Sequence, residues 1–586
     1  MDLGSITHRG AFSDAYALNE SDIMLKLRTG KDITEAYVIH GDPYSAGVSP
    51  NHPWSGTRTA MKRGAELKYN QVWEIRLKPP FRREQYYFEL HCGTEVRYMF
   101  EDDFYTEEEM TFPYRMHQYF KFPWMNEADR CRHPKWVEDT VWYQIMPDRF
   151  CRGDAREKRH PLKKWNEKQK ASYFDFYGGD LKGIIEKLHY LKDLGISGIY
   201  LTPVMLSNSN HKYNTADYLQ IDPDFGDEED MRCLVERAHA LGIRVMVDAV
   251  FNHCGWDFFA WQDVLKNGLD SPYCSWFFIH KWPVDTGDYK TKDGRYDSFA
   301  FEAGMPKLNT NNLEVQDYFL QIMRHWVKDW QVDGIRFDVG NEVSHAFLKR
   351  THTELKGINP DLFLLGEIWH DSIEWLLGDE YDAVMNYPFL ESLHNFWLNG
   401  NLDARQLMYA INRCYNLYRE QTNRVLFNFL DTHDVCRAFT RCGNLDTFFQ
   451  QMILLLSMQG SPCLYYGTEI AMEGADDPEN RRCMPWEEID AGKYDDVLAE
   501  TKVLIALRNQ YDQMKSGTVS WEKTEAYPRL VSYCKGDERT ENQIAIYLNA
   551  GQGKVPLQPE GKVLYARKYE NGNLLAGGSL LVLRAK

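Results

Sequence analysis

Eight apolar segments alternate with amphipathic stretches between about residues 136 and 470, and this alternation constrains the fold more than any other feature. Most of the eight are continuous apolar runs, which is typical of parallel strands covered on both faces. Strands that alternate with helical patterns indicate βαβ units. The segments are TVWYQIMP, GIYLTP, IRVMVDAVFNH, GIRFD, DLFLLGEIW, YDAVMNYP, VLFNFLDTHD and SPCLYYG. The sequence therefore predicts an α/β fold in which a (β/α)₈ TIM barrel is the main element.

Two of the intervening stretches carry clear helix signals. In DEEDMRCLVERAHALG, acidic residues fill the first turn and Gly242 follows the last, as helix start and stop chemistry requires. In LEVQDYFLQIMRHWVKDW, six large apolar side chains recur at helical spacing and predict one buried face. These six are Val315, Phe319, Ile322, Met323, Trp326 and Trp330.

The flanking regions read as separate β domains. Residues 1–125 hold short β-rich segments punctuated by Gly, Pro and Asn, which predicts an N-terminal antiparallel sandwich. We assign residues 126–511 to the barrel domain. The stretch 254–311 within it is too long for a simple crossover, so we expect an insertion domain after the third strand. Residues 512–586 return to short strands and predict a C-terminal β-sandwich.

Composition restricts the partners of this chain. With 586 residues, of which 43% are hydrophobic, it exceeds the size of one core and is not disordered. A formal net charge of −18 argues against nucleic acid and anionic membrane surfaces, so a neutral ligand fits better. The start MDLGSITHRG lacks an apolar signal region, and the 12 cysteines include no CxxC pair. We expect a cytoplasmic protein with reduced thiols.

Four of the predicted strands end in carboxylates or histidines. In a barrel of parallel strands these ends meet at one face, where catalytic groups lie. The residues are Asp248 and His253 after the third strand, Arg336 and Asp338 after the fourth, Glu367 after the fifth, and His433 and Asp434 after the seventh. A single such Asp is commonly a helix cap, but four motifs in order are hard to explain by capping. The set predicts an active site.

Hydrolysis of a glycoside needs one carboxyl group to protonate the leaving oxygen and a second to attack the sugar. Glu367 and Asp338 suit these two roles. Arg336 lies two residues before Asp338 on a strand, so both point to one side and the cation favours an ionised Asp338. Asp434, with His433 and His253, would hold the sugar hydroxyls. Asp248 could take part or only brace the barrel rim.

The motifs DAVFNH, GIRFDVGNEV, GEIWH and FLDTHD resemble the four ordered motifs of the α-amylase family of glycoside hydrolases. The stretches VWYQIMPDRF, GIYLTPVM, HKYNTADY and GSPCLYYGTEI extend the resemblance over residues of about 136 to 470. MPKLN at 305–309 and NEV after Asp338 are similar to the neopullulanase, cyclomaltodextrinase and maltogenic amylase subgroup.

The resemblance implies a retaining double displacement. Asp338 would form the covalent intermediate, Glu367 would act as acid and then base, and Asp434 would stabilise the transition state. Tyr213 would stack beneath the sugar at the cleavage site. Trp369 and Glu342 would line the acceptor side.

The same resemblance implies cyclodextrins, maltooligosaccharides and pullulan as substrates, cut at α-1,4 bonds with α-1,6 activity left open. It also implies some transglycosylation and a homodimer in which the N-terminal domain of one subunit covers the barrel mouth of the other. Two alternatives remain open: a glucan transferase, because a sugar hydroxyl can intercept the intermediate, and a non-catalytic glucan-binding relative.

No cofactor is expected, and calcium stays doubtful. Many members of the family carry a calcium loop after the first strand, whereas this chain reads FCRGDAREKR, with Arg152, Arg156 and Lys158 among the candidate oxygens. Because cations repel calcium, we expect that site to hold no metal. The weak candidate ligands are Asp154, Gly179 and Asp180 there, and Asn252 at a second site near the insertion.

Overall fold

The computed structural model describes residues 1–48, 54–111, 118–153, 157–165, 171–515, 517–522, 525–536 and 541–585. The chain forms two compact units. The first consists of residues 1–132, 371–379 and 402–423, and the second of residues 133–370, 380–401 and 424–586. The domain boundaries drawn from the sequence stay predictions.

Two antiparallel sheets form most of the first unit. One has the strand order Ala15–Ala17, Ile23–Gly30, Asn70–Leu77, Lys62–Glu66. The other has the order Thr57–Ala60, Glu35–Gly41, Glu84–Cys92, Glu95–Met99, Phe104–Tyr105, and Phe120–Phe122 pairs with Glu84–Cys92. Leu25 and Leu27 from the first sheet and Val38 and Phe88 from the second share one buried core. Alternating burial along the strands thus produces the expected sandwich.

Helical segments complete the first unit. The longest, Ala404–Tyr415, begins with a capping box in which Asp403 accepts the backbone N–H of Gln406. The others are α-helices Glu107–Met110 and Glu420–Asn423 and 3₁₀ helices Leu3–Ser5 and Ile373–Trp375.

The second unit contains the barrel. Its eight strands are β1 Trp142–Ile145, β2 Gly198–Leu201, β3 Arg244–Ala249, β4 Gly334–Phe337, β5 Phe363–Gly366, β6 Ala383–Val384, β7 Phe427–Phe429 and β8 Ser461–Tyr465. They pair in parallel in the order β6-β5-β4-β3-β2-β1-β8-β7. A parallel bridge from Met385 to Phe427 joins β6 to β7. The predicted barrel is confirmed, with each strand inside its predicted segment.

Helices follow most of these strands. They are α1 Leu181–Leu194, α2 Glu228–Ala240, α3 Leu313–Lys328, α4 His345–Ile358, α5 Tyr387–Leu398, α6 Leu445–Ser457 and α7 Asp495–Gln510. Helix α2, predicted from its acidic first turn, begins with a capping box between Asp227 and Asp230. The six apolar residues predicted for the α3 region are all buried, including Trp330 just beyond the helix end. Within the described ranges, no helix combines the length and apolar composition needed for a bilayer crossing.

Shorter elements connect or flank the barrel strands and helices. Between β3 and α3 lie the helix Phe259–Asn267 and several isolated bridges, including His253–Lys307. A hairpin of Met205–Leu206 and Asp217–Ile221 follows β2. The remaining α-helices are Pro147–Phe150, Ala438–Cys442, Trp486–Asp490 and Asp512–Lys515. The 3₁₀ helices are Lys135–Asp139, Gly268–Asp270, Cys274–Trp276, Phe299–Phe301, Gly340–Glu342 and Thr468–Ile470.

Large side chains fill the barrel interior. Trp142, Tyr200, Phe363 and Phe427 belong to one buried cluster. The interior of the barrel is therefore a packed core.

The C-terminal region forms one antiparallel sheet of six strands. They are Val519–Trp521, Leu530–Lys535, Asn542–Asn549, Val555–Pro556, Lys562–Glu570 and Asn573–Ala585. Gln450 on α6 donates to the carbonyls of Asn549 and Gly578 at 3.0 and 3.2 Å, which fixes the sheet against the barrel.

Candidate active site

Three neighbouring strands bring the first group of predicted residues together. Asp248 on β3 lies beside Arg336 on β4 in the strand register. Asp338 directly follows β4, and Glu367 directly follows β5. Because β3, β4 and β5 are parallel neighbours, all four side chains lie at the C-terminal end of the barrel.

The fully buried guanidinium of Arg336 connects the three carboxylates. Its Nη1 donates to both oxygens of Asp248 at 2.9 Å and to Oδ1 of Asp338 at 3.0 Å. Its Nη2 lies 2.8 Å from Oε2 of Glu367, an ion pair without hydrogen-bond alignment. One cation therefore holds the two proposed catalytic carboxylates close together.

Glu367 is oriented by three further donors. Its Oε2 accepts the backbone N–H of Val339 at 2.9 Å, and its Oε1 accepts Nε1 of Trp369 at 3.1 Å and the hydroxyl of Tyr387 at 3.5 Å. Val339 has φ 46°, a left-handed conformation that is strained for a β-branched residue. In this backbone conformation the N–H of Val339 points to Glu367. The Trp369 ring stacks on Tyr387 with 3.8 Å between centroids.

Asp434 lies on the loop after β7. Its Oδ2 is 3.2 Å from Nε2 of His433, and its Oδ1 is 3.6 Å from Nη2 of Arg481. The other ring nitrogen of His433, Nδ1, lies 2.7 Å from the side-chain nitrogen of Gln144 on β1. The imidazole is thus held from beneath, and its Nε2 edge is directed to the cleft.

Tyr213 completes this side of the site. Its hydroxyl donates to Oδ2 of Asp248 at 2.9 Å and lies 2.6 Å from Nε2 of His433. The Tyr213 and His433 rings are parallel within 1°, with 5.2 Å between centroids. His253 contacts the carbonyl of Tyr213 through Nε2 at 3.1 Å. The aromatic ring expected beneath the sugar is therefore fixed in orientation.

A cleft of about 520 Å³ opens above these groups, a size typical of ligand sites. Seven predicted residues line it: Tyr213, His253, Asp338, Glu367, Trp369, His433 and Asp434. Two others do not. Arg336 lies beneath the cleft, and Glu342 instead forms an ion pair with Lys307 at 2.7 Å. Asp248 is also buried beneath, where it braces Arg336 and Tyr213.

Burial and the neighbouring cations act in opposite directions on the pKa values of Asp338 and Asp434. Burial raises the pKa of Asp338 well above its usual value; Arg336 opposes this rise, whereas Glu367, Asp248 and Asp434 add to it. Burial likewise raises the pKa of Asp434 against the effect of Arg481 and Arg336. The sequence pointed to Arg336 as the group that favours an ionised Asp338, but the effect of burial on the pKa of Asp338 outweighs that cation. Asp338 and Asp434 therefore bind protons more strongly than isolated carboxylates do.

The pKa values of His253 and His433 are both lowered, in contrast to the raised pKa values of Asp338 and Asp434. Burial lowers the pKa of His253 to about 3, although its contact with the Tyr213 carbonyl acts in the other direction. Burial and the charges of Arg481 and Arg336 lower the pKa of His433 well below its usual value, against the effect of Glu367. Both imidazoles are therefore neutral near pH 7 and act as hydrogen-bonding groups.

The candidate calcium ligands lie apart from the cleft lining. Asp180 and Gly179 directly precede α1, and Asn252 is buried just after β3. Asp154 lies outside the described residues. Across the described part of the chain, no group of three or more His, Cys, Asp or Glu is placed to hold a metal ion.

The sequence reasoning missed three residues that shape the site. Gln144 supports His433, Arg481 faces Asp434, and Tyr387 supports Trp369. Gln144 offered a signal, because it is a polar residue inside the apolar run TVWYQIMP. Arg481 follows no periodic pattern, since it lies in the irregular segment between Thr468–Ile470 and Trp486–Asp490.

Comparisons with known proteins identify the family of the chain. The family model for the alpha amylase catalytic domain matches residues 144–529, and that for the alpha amylase N-terminal ig-like domain matches residues 1–126. The chain is 39% identical over 581 residues to a cyclomaltodextrinase of Geobacillus thermopakistaniensis, covering 98% of this chain and 95% of that protein. It is 41% identical over 560 residues to the intracellular maltogenic amylase of Bacillus subtilis, covering 95% and 92%. A solved cyclomaltodextrinase structure superposes with a TM-score of 0.89 at 35% identity, covering 100% of this chain and 98% of that one.

Proposed function

Because this chain belongs to the alpha-amylase family of glycoside hydrolases, we propose that it hydrolyses α-1,4-glucosidic bonds of cyclodextrins and maltooligosaccharides with retention of anomeric configuration. The observation that supports this most strongly is the contact of one buried guanidinium, that of Arg336, with both Asp338 and Glu367. A nucleophile and an acid–base carboxylate that line one cleft are the pair that a retaining enzyme uses, and membership of this family supports retention.

In the first step, an oxygen of Asp338 attacks the anomeric carbon and forms a covalent glucosyl ester. The glucosidic C–O bond breaks, and Glu367 transfers its proton to the departing oxygen. The configuration at carbon inverts from α to β. Glu367 is left as a carboxylate held by the Val339 N–H and the Trp369 indole.

In the second step, Glu367 removes a proton from water, whose oxygen attacks the anomeric carbon. The ester bond to Asp338 breaks, and the product is released as the α-anomer. Both catalytic residues regain their starting protonation. Asp434 and the neutral His433 would hold the hydroxyls of the distorted sugar ring during both steps.

The substrate range follows from the relatives and from the cleft. The similar proteins are a cyclomaltodextrinase and a maltogenic amylase, so short or cyclic glucans are the proposed substrates. Tyr213 would stack beneath the sugar at the cleavage site. Trp369, half-exposed at the cleft edge, would receive the acceptor sugar. Activity on pullulan and on its α-1,6 bonds is a further proposal from the subgroup resemblance.

A predominantly glucan-transferring enzyme is the second candidate. The half-exposed Trp369 ring supports it, because an aromatic platform beside the acid–base residue would bind an acceptor sugar in place of water. A non-catalytic glucan-binding role is disfavoured because Asp338, Glu367 and Asp434 are all present and line one cleft.

We also propose an intracellular, homodimeric enzyme. The maltogenic amylase relative is named as an intracellular enzyme, which supports the location. The dimer rests on the subgroup resemblance, in which the N-terminal domain covers the partner's barrel mouth. Light scattering after size-exclusion chromatography tests it: one mass near twice that of the chain is expected, and a monomer at micromolar concentration would contradict it.

A product profile tests the proposed function. β-Cyclodextrin, pullulan and concentrated maltotriose are digested separately, and the anomer of the first product is recorded by proton NMR. Hydrolysis predicts glucose and maltose, with the α-anomer appearing first. Longer or α-1,6-linked products would favour the transferase, and the β-anomer appearing first would overturn the retaining mechanism.

A further inference from the structure

The loop after β1 corresponds to the place where many members of this family hold calcium, so its residues can be tested for fit. Asp180 is the central candidate ligand, and both of its oxygens are already used. Its Oδ1 caps α1 by accepting the backbone N–H of Gly183 at 2.8 Å and also accepts that of Gly153 at 3.1 Å. Its Oδ2 accepts the ammonium of Lys158 at 2.8 Å.

Lys158 is fixed in this position by a second bond. Its Nζ also donates to the carbonyl of Asp224 at 2.8 Å, and only 5% of its side chain is exposed. A carboxylate and a carbonyl are the oxygen types that calcium takes. Here the ammonium contacts both, and a divalent cation bound at the same oxygens would be repelled by it.

Gly179 does not require a metal to explain it. A Cβ at this position would lie 2.0 Å from the carbonyl oxygen of Pro147, so close packing of two backbone segments demands glycine. The carboxylate of Asp222, in the turn that Lys158 also contacts, is already paired with cationic side chains of the protein. Asp222 pairs with Arg159 at 2.6 Å and with the fully buried Lys212 at 2.7 Å.

At the second candidate calcium site, a lysine ammonium again contacts the candidate oxygen ligand. The buried Asn252 accepts the ammonium of Lys307 at its Oδ1. The same ammonium pairs with Glu342 at 2.7 Å. Both positions that the family resemblance marks for calcium therefore carry a lysine ammonium on the candidate oxygen.

We propose that Lys158 and Lys307 are built-in replacements for calcium, so that the folded protein neither needs nor binds the metal at these positions. Lys158 joins the segment after β1 to the start of α1 and to the Asp222–Asp224 turn, the connections that a shared cation would make. Lys307 joins the end of β3 to the segment before α3. The inference does not depend on the substrate or on the proposed mechanism.

Thermal unfolding of the full chain tests the proposal. The wild type is expected to keep its Tm within about 1 °C in excess EDTA and in millimolar CaCl₂. Lys158→Met should lower the Tm by about 3–5 °C, because it leaves the buried Asp180 charge without its cation. Lys502→Met is the matched control: it removes a lysine from an exposed ion pair with Asp193, and a change below about 1 °C is expected.

A double variant separates charge from packing. Lys158→Met/Asp180→Asn removes both charges, and Asn can still cap α1, so it should recover part of the Tm lost in Lys158→Met. No recovery would mean that the ammonium does not act by neutralising Asp180, and would overturn its role. So would a Lys158→Met variant as stable as the wild type.

Elemental analysis covers the case in which Lys158→Met fails to fold. Wild-type protein purified in calcium-containing buffer and then desalted should carry well below one calcium per chain. Stoichiometric calcium, or a wild-type Tm that falls in EDTA and returns with CaCl₂, would overturn the proposal directly.

Discussion

The side-chain nitrogen of Gln144 lies 2.7 Å from Nδ1 of His433, beneath the cleft and fully out of solvent. An amide N–H donated to Nδ1 makes that nitrogen the acceptor and leaves the proton on Nε2. Nε2 faces the Tyr213 hydroxyl and Asp434. A strand residue that does not line the cleft thus sets the hydrogen-bonding direction of one that does.

Replacing Gln144 by Leu should lower kcat on β-cyclodextrin about 10-fold, because a buried imidazole that loses its partner costs roughly 1–3 kcal/mol. Gln144→Glu should instead raise the pKa of His433 and add an ionisation to the pH profile of kcat/KM. A merely structural role for Gln144 predicts no such ionisation, and its absence in an active, folded Gln144→Glu enzyme would contradict the assignment.

Tyr213 combines a ring face with a hydroxyl, and two substitutions separate them. Tyr213→Phe keeps the stacking surface and loses the bonds to Asp248 and His433, so kcat/KM on maltotriose should fall about 10-fold. Tyr213→Ala loses both the stacking surface and the hydroxyl bonds, so kcat/KM on maltotriose should fall further, by about 100-fold. Equal losses in the two variants would show that the ring face contributes nothing to sugar binding.

The raised pKa of Asp338 sets the acid side of the pH profile. The nucleophile must be ionised, so activity is lost as the pH falls through this raised pKa. The acid limb of kcat/KM should therefore lie above the ordinary value for Asp of about 3.9. Asp434→Asn removes a negative charge that adds to the rise, so its residual activity on an aryl maltoside should have an acid limb at lower pH. A limb that stays fixed would contradict the electrostatic account.

We expect Trp369 to contribute more to transfer of the glycosyl group to an acceptor sugar than to hydrolysis. Trp369→Ala removes the half-exposed ring from the cleft edge, so transfer products from concentrated maltotriose should fall about 2- to 10-fold. Hydrolysis of an aryl maltoside should change less, since no acceptor sugar is needed. Trp369→Phe, which keeps a ring on Tyr387, serves as the control and should retain most of the transfer.

The barrel could be predicted from the sequence because its determinants are local. Apolar segments, most of them continuous runs, identified all eight strands, and the spacing from Val315 to Trp326 identified the buried face of α3. The carboxylates were found for the same reason: each directly follows a strand whose end position the barrel geometry fixes.

The remaining features depend on contacts between distant segments, which local patterns do not encode. Arg481 reaches Asp434 from an irregular segment, and Lys158 reaches Asp180 across 22 positions of sequence. The charge repulsion inferred from FCRGDAREKR identified the right region, but not that Lys158 would contact the candidate oxygen itself. The pKa of Asp338 likewise depends on burial, which the neighbouring Arg336 alone did not reveal.

Trapping the covalent intermediate tests the central claim most directly. In Glu367→Gln, α-maltosyl fluoride should still react at the first step, because fluoride departs without a proton, while the second step lacks its base. Peptide mass spectrometry should then find a maltosyl group on Asp338. An adduct on another residue such as Asp434, or turnover in Asp338→Asn that stays near the wild-type rate, would contradict the account.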